Sequence, residues 1–436
     1  MTNAKTVTKN VLIVGGGFGG VAAAQALLRH HRDDIAVTLV SDVPHFEYKP
    51  ALYLVVAGRP ASEVCIPLTE MFGTQERITL VTDTITAIDG KRREAAGASG
   101  KRYTFDTLIL ATGSETAFFD IPGIEKFAFG FKTIEEAVVL QRHIESQFAS
   151  PDARADDADE KLESLHFVIV GAGPSGVELA GELAVYGAKL AKRYAVDPTF
   201  VTFDLFEAAP RILPSLPVSV AERALHRLRH LGVNVYTNRP ITSQALEEVR
   251  VRGMRVATET VIWTAGIRPD ALYRDTAGFE HDKRERVVVD AHLQAGTFPG
   301  IFIVGDGGAT PFTGLAQTAI GDGAHVVENV LRIIDEQPLL PYRPKKPYHV
   351  IPVGPGWAVT KLGSLTISGK FAWLIRRAAD FRYFLSILPF AKAFLVFRKG
   401  KTICSACSIC MPPADALDSA HVTTSEPKAK SIGKHT

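Results

Sequence analysis

The stretch FVIVGAGPSGVELAGELA, Phe167 to Ala184, runs an apolar strand into a glycine loop and the loop into a helix. Gly171, Gly173 and Gly176 give it the spacing G-x-G-x-x-G, which opens a dinucleotide-binding βαβ unit. The spacing alone is weak; its place after a strand and before a helix carries the reading. There the first glycine permits a tight turn, and the second lets the backbone approach a pyrophosphate. The helix then offers its unsatisfied N–H groups and positive dipole end to the phosphates. Glu207, closing the next strand VTFDLFE, is placed to receive a ribose diol. A carboxylate there repels a 2′-phosphate and favours NADH over NADPH, while nearby Arg211 keeps the phosphorylated form open.

A sister stretch, NVLIVGGGFGGVAAAQALL, stands earlier, at Asn10 to Leu28, with Gly15, Gly17 and Gly20 in the same places. Asp42, beyond the following strand, is the acid best placed for that unit's ribose, with Ser41 as the neighbouring alternative. Two loops in one chain mean two dinucleotides, most simply a resident flavin and an exchanging nicotinamide. The nicotinamide delivers a hydride, and the flavin accepts it and releases electrons onward.

The 436 residues exceed what one hydrophobic core usually serves, so two or three domains are expected. Hydrophobic residues at 46%, charged residues at 22% and a net charge of +2 describe a globular protein and give no sign of a nucleic-acid partner. The opening MTNAKTVTKN carries no apolar signal segment, and a cytoplasmic protein is expected. Four cysteines make no disulfide framework. Cys404, Cys407 and Cys410 have the intervals of a metal site but no fourth cysteine close by, so no metal is assigned.

The first 115 residues alternate VLIV, VTLV and TLILATG with helical sequence, the rhythm of an α/β fold. SPDARADDADEKLES, Ser150 to Ser164, reads as an exposed loop or weak helix before the second unit. GIFIVGDGG reads as a strand and turn returning to the first unit, which makes the second an insertion. The expected fold is thus two Rossmann-like domains, the first built from 1–115 and 295–345, the second from 116–294. A C-terminal region covers 346–410, and a polar, disordered tail 411–436. No run there reaches the ~18 to 20 apolar residues that cross a bilayer. Phe371, Trp373, Leu374, Phe381, Tyr383, Phe384, Leu388, Phe390, Phe394 and Phe397 mingle with Arg376, Arg377, Arg382, Lys392, Arg398 and Lys399. That mixture suits a helix lying in the headgroup boundary. A helical pair covering the first domain, or a homodimer interface, is the competing reading.

With GGGFGG, ATG (Ala111 to Gly113), GAGPSGVELAGEL, WTAGI (Trp263 to Ile267), GD (Gly305, Asp306) and AQ (Ala316, Gln317) in this order, the chain resembles the two-dinucleotide-binding flavoprotein reductases. Among them it is most similar to the type II NADH dehydrogenases, single-subunit NADH:quinone oxidoreductases of the membrane surface. The resemblance implies FAD on Gly15, Gly17 and Gly20, NADH on the second loop, and a membrane quinone reached from the cytoplasmic face. It implies that Ala111, Thr112 and Gly113 line the flavin, that Asp306 contacts its ribityl or phosphate portion, and that Gly266 and Ala316 belong to the cofactor sites. Glu178 and Gln317 become the catalytic candidates, Glu178 relaying protons where nicotinamide, flavin and quinone meet. Without the resemblance, Glu178 is an acid favoured by the helix dipole, with Glu182 one turn on. The chain departs from the family at AQTAIGDG, where Gly321 and Asp322 replace a usual pair of glutamines and put a carboxylate near the expected quinone tunnel. A soluble NADH:acceptor reductase and a flavin-bound redox sensor remain as alternatives. A sulfide:quinone oxidoreductase is disfavoured, because Cys65 alone in the protein body cannot form a redox pair.

Overall fold

Apolar residues on both sides of the strand Lys9–Val14 demand cover on both faces, and the fold supplies it: Val11, Leu12, Ile13 and Val14 are all buried. The computed structural model describes residues 8–73, 75–150, 153 and 157–399. Cys404, Cys407, Cys410 and the tail 411–436 lie outside the described residues.

Lys9–Val14 is the middle of a five-stranded sheet, paired on one side with Ile35–Ser41 and on the other with Thr107–Leu110. Ile78–Thr82 and Ile301–Ile303 form the edges, and every pairing is parallel. A strand that follows the whole second unit therefore completes the first sheet. The second unit repeats the plan: His166–Val170 pairs in parallel with Thr202–Phe206 and Thr260–Trp263, and Val233–Tyr236 lies outside Thr202–Phe206. In both sheets the chain leaves the first strand where the strand order reverses, and each glycine loop sits at that crevice.

The chain crosses between the units twice, and the crossings pair as antiparallel strands, Ser114–Thr116 with Ile267–Pro269. Beyond the first crossing, Thr133 and Glu136 form a reciprocal capping box for the helix Ile134–Ala149. Part of the acidic spacer is helical, at Ala158–Ser164.

After Val350 the chain forms an antiparallel meander, Val350–Pro352, Ala358–Leu362 and Leu365–Gly369, and then the helices Lys370–Ile387 and Phe390–Lys399. Their aromatic residues divide between two surroundings. Phe384 and Leu388 are buried, and the Tyr383 ring stacks on Tyr48 at 5.5 Å and lies 5.1 Å from Phe18, packing the long helix on the first unit. Phe371, Leu374, Phe390 and Phe394 stay exposed. Among the described residues, no helix is long and apolar enough to cross a membrane.

Candidate active site

The two glycine loops place the same demands on their backbones. Gly15 and Gly171 have φ of +111° and +100°, and a Cβ on them would stand 2.3 Å from the Ala111 carbonyl oxygen and 2.6 Å from Ala265 Cα. A Cβ on Gly20 or Gly176 would stand 1.9 Å from the carbonyl oxygen of the first glycine in its own loop, which closes the helix tightly onto the turn. Gly17 and Gly173 are different: nothing of the protein lies within 4 Å of a Cβ there. Each is the N-cap of its helix, Phe18–Arg29 or Pro174–Tyr194, with no side-chain cap. The open side of each loop is thus a cradle of free backbone N–H groups that a diphosphate fits and a side chain would fill.

The acids stand at the strand ends. Glu207 spends one oxygen on the Ala172 N–H of the glycine loop (2.7 Å) and the other on the Ala209 N–H (2.8 Å), which fixes the carboxylate beside the cradle. Arg211 turns away, donating to the carbonyls of Leu213 (2.8 Å), Pro214 (2.6 Å) and Leu216 (2.9 Å), so its guanidinium is committed to its own loop. Asp42 is exposed at the end of Ile35–Ser41 and accepts from the Val43 N–H, while Ser41 is buried beneath Gly16.

Gly113 has φ of +82° and is open on its Cβ side, like Gly17. Below it Tyr273, wholly buried against Gly307, turns its hydroxyl toward Thr112. Asp306 accepts a hydrogen bond from Ser114 Oγ at 2.5 Å, joining the GD turn to the residue after ATG. A Cβ on Gly266 would meet the Phe119 ring at 2.3 Å, so this glycine makes room for a side chain of its own protein. Ala316 opens the helix Ala316–Ile334.

Glu178 lies in the first turns of Pro174–Tyr194 and is buried. Burial pushes its pKa up to about 7, against the pull of Arg376, whose Nη1 stands 3.3 Å from Oε1. Burial alone lifts Glu182 to the same level, with Lys189 and Arg59 opposing.

Residues 9–323 match the family model of the pyridine nucleotide-disulphide oxidoreductases. The type II NADH:quinone oxidoreductase Ndh of Mycobacterium tuberculosis is 30% identical over 417 residues, 90% of this chain and 89% of its own. The chain belongs to the type II NADH:quinone oxidoreductases. A further type II NADH:quinone oxidoreductase, from Staphylococcus saprophyticus, is 28% identical over 405 residues, covering 90% of this chain and 98% of that one. The fold is also that of NDH2 from Plasmodium falciparum in complex with NADH, with a TM-score of 0.79 at 16% identity over 89% of this chain and 97% of the other. The sulfide:quinone oxidoreductase of Aquifex aeolicus shares it at a TM-score of 0.73 and 21% identity, over 91% and 93%.

In this type II NADH:quinone oxidoreductase two side chains, Arg376 and Asp322, stand elsewhere than the sequence suggests. Arg376, expected among the basic residues facing lipid, is turned inward. Its Nε donates to Asp380 Oδ1 (2.9 Å), its Nη1 to the Val350 carbonyl (3.0 Å) and its Nη2 to the Pro50 carbonyl (2.5 Å). Asp380 Oδ1 also accepts from the Tyr48 hydroxyl at 2.7 Å. One guanidinium thus ties the C-terminal helix to Glu178 of the second unit and to the Pro50 turn of the first. The cause is desolvation: a cation under a packed helix needs partners, and two carboxylates provide them.

Asp322, expected near the tunnel mouth, is buried, accepts from the Gly305 N–H at 3.1 Å and from the Tyr342 hydroxyl, and has its pKa raised to about 6 by burial. It braces the GD turn from behind. Gln317 is exposed, and its amide clamps the Tyr348 backbone, donating to the carbonyl at 2.8 Å and accepting from the N–H at 3.2 Å. It fixes the chain as it enters the C-terminal meander. No motif in the sequence points to Asp380 or Tyr48, which complete the Arg376 network. The i,i+4 spacing of Arg376 and Asp380 is a signal in the sequence, whereas the partner Glu178 gives none.

Proposed function

We propose that this chain is an FAD-dependent NADH:quinone oxidoreductase that works on the cytoplasmic face of a membrane without pumping protons. When bound, FAD would supply the chemistry of accepting a hydride from NADH and releasing two electrons to quinone, which takes up two protons to become the quinol. The observation that carries this reading is the pair of open glycine cradles, Gly17 and Gly173, one on each parallel sheet. We assign 1–115 and 295–345 to the FAD domain, 116–294 to the NADH domain and 346–410 to the quinone and membrane region. The first loop, with Asp42, Ala111, Thr112, Gly113, Asp306 and Ala316, holds FAD. The second loop, with Glu207, holds NADH, and the commitment of Arg211 to its own carbonyls supports NADH over NADPH.

Glu178, buried and with its pKa raised to about 7, carries a proton in a large share of molecules at neutral pH, where quinone reduction consumes one. Gln317 supports the quinone side by fixing the Tyr348 strand.

Substitutions at the middle glycines separate the two sites. Gly17→Val is expected to fold and purify colourless, because its Cβ meets no protein atom within 4 Å and its side chain takes the diphosphate's place. Gly173→Val is expected to stay yellow and resist bleaching by NADH. A yellow Gly17→Val protein contradicts the assignment.

Phe371, Leu374, Leu385, Phe390, Phe394 and Leu395 are exposed on the C-terminal helices, with Arg382 and Arg398 among them. They support peripheral attachment to an anionic membrane surface. The same face could instead bury itself in a homodimer. The pair Phe390→Ser with Phe394→Ser is expected to move the protein from pelleted membranes to the supernatant with its flavin retained. Sedimentation velocity of that variant reports the dimer.

A further inference from the structure

Lys132 belongs to none of the motifs above, yet its side chain ends among them. Glu136 accepts from the backbone N–H groups of Lys132 and Thr133, which fixes the main chain where the side chain departs. Lys132 Nζ donates to Ser114 Oγ at 2.8 Å, and Ser114 Oγ donates to Asp306 Oδ2 at 2.5 Å. Lys132 and Ser114, 18 residues apart, thus join ATG to a GD turn whose Asp306 lies 192 residues beyond Ser114. The ammonium has three N–H donors, and among the described residues the bond to Ser114 is its only hydrogen bond. Burial pushes its pKa down to about 8; Asp306 opposes the fall, Lys49 adds to it, and Glu136 and Glu47 oppose it. A desolvated cation with donors to spare needs an acceptor. Gly113, next to Ser114 and open on its Cβ side, shows from where a ligand approaches.

We propose that Lys132 contacts the bound flavin, its ammonium standing beside Ser114 and Asp306 and favouring the reduced form of the cofactor. The inference rests on the flavin seat proposed above. A positive charge held in a poorly solvated site favours whichever redox state carries more negative charge, and fixed charges act more strongly there than in water. Ser114 positions the ammonium, and Asp306 keeps it charged.

The test is the midpoint potential of the flavin-loaded protein, read by equilibration with a reference dye during slow reduction, which involves no turnover. Lys132→Gln removes the charge and keeps most of the length; Lys132→Arg keeps the charge. Lys132→Gln is expected to lower the ratio of reduced to oxidised flavin at a fixed potential by at least about tenfold, or ~30 mV for a two-electron couple. Lys132→Arg is expected to stay near the wild type. An unchanged midpoint in Lys132→Gln overturns the inference. If that variant purifies without flavin, titrating FAD into its apoprotein decides: binding at least about tenfold weaker than to wild-type apoprotein, at the same melting temperature, supports the contact, and equal binding overturns it. Should Lys132→Gln fail to fold, Ser114→Ala unties the ammonium and is expected to move the midpoint the same way; no movement there overturns the inference. Wild-type protein that refuses FAD would instead sink the flavin seat itself.

Discussion

Replacing Arg376 by methionine is expected to cost about 3–5 kcal/mol of stability, the usual penalty for removing one member of a buried ion pair. The loss comes from what stays behind. Glu178 and Asp380 remain buried without their shared cation, and the carbonyls of Pro50 and Val350 lose a donor. Limited proteolysis is expected to cut first in the helix Lys370–Ile387, because Arg376 fastens that helix to both nucleotide-binding units. Arg376→Lys is expected to recover only part of the stability, since one ammonium cannot reproduce a fork that reaches four groups. Adding Asp380→Asn to Arg376→Met is expected to restore some of it by removing a stranded charge. If Arg376→Met melts with the wild type, the network is not what holds the C-terminal region down.

Replacing Glu178 by glutamine is expected to slow quinone reduction by roughly 100-fold, the low end of what a positioned proton donor contributes. Reduction by NADH is expected to stay close to wild type, since hydride transfer takes no proton from this carboxyl. The pH dependence has a definite sign. With a pKa raised to about 7, Glu178 carries its proton below that pH and loses it above, so quinone reduction falls as pH rises through about 7. Glu178→Gln is expected to flatten that limb. Stability follows the same linkage: a carboxyl whose pKa rises from 4.5 to about 7 on folding destabilises the fold progressively as pH rises through that interval and no further beyond it. Glu178→Gln is therefore expected to gain stability relative to wild type at pH 8 and to gain none at pH 4. Steady-state rates against pH, with melting temperatures on the same samples, check both.

What the sequence reveals and what it hides follow from how far each interaction reaches along the chain. The glycine loops are local devices, in which strand, turn and helix must be consecutive and the third glycine must pack on the first. Every one of their glycines is therefore readable, and the return of Ile301–Ile303 to the first sheet is readable from GIFIVGDGG. Arg376 is not, because the carboxyl that turns it inward lies 198 residues away, and an arginine among aromatic residues looks the same facing lipid or facing a buried acid. Asp322 misleads for a similar reason. Its position in the helix Ala316–Ile334 was legible, but its direction depends on Tyr342 and on the Gly305 backbone, which meet only in the folded chain. Lys132 is not legible in the sequence because a lysine before a capping box is ordinary; only the approach of Ser114 and Asp306 sets it apart.

The central claim is that one nucleotide is housed permanently, a second exchanges, and electrons leave to a quinone. Anaerobic stopped-flow mixing tests it most directly by following the yellow colour through two half-reactions. Purified protein is expected to bleach on mixing with NADH and to regain its colour on a second mixing with a short-chain quinone, at rates that account for steady-state turnover. Protein that is colourless after gentle purification and takes up no FAD, or that bleaches with NADH and stays bleached with quinone, would contradict the account.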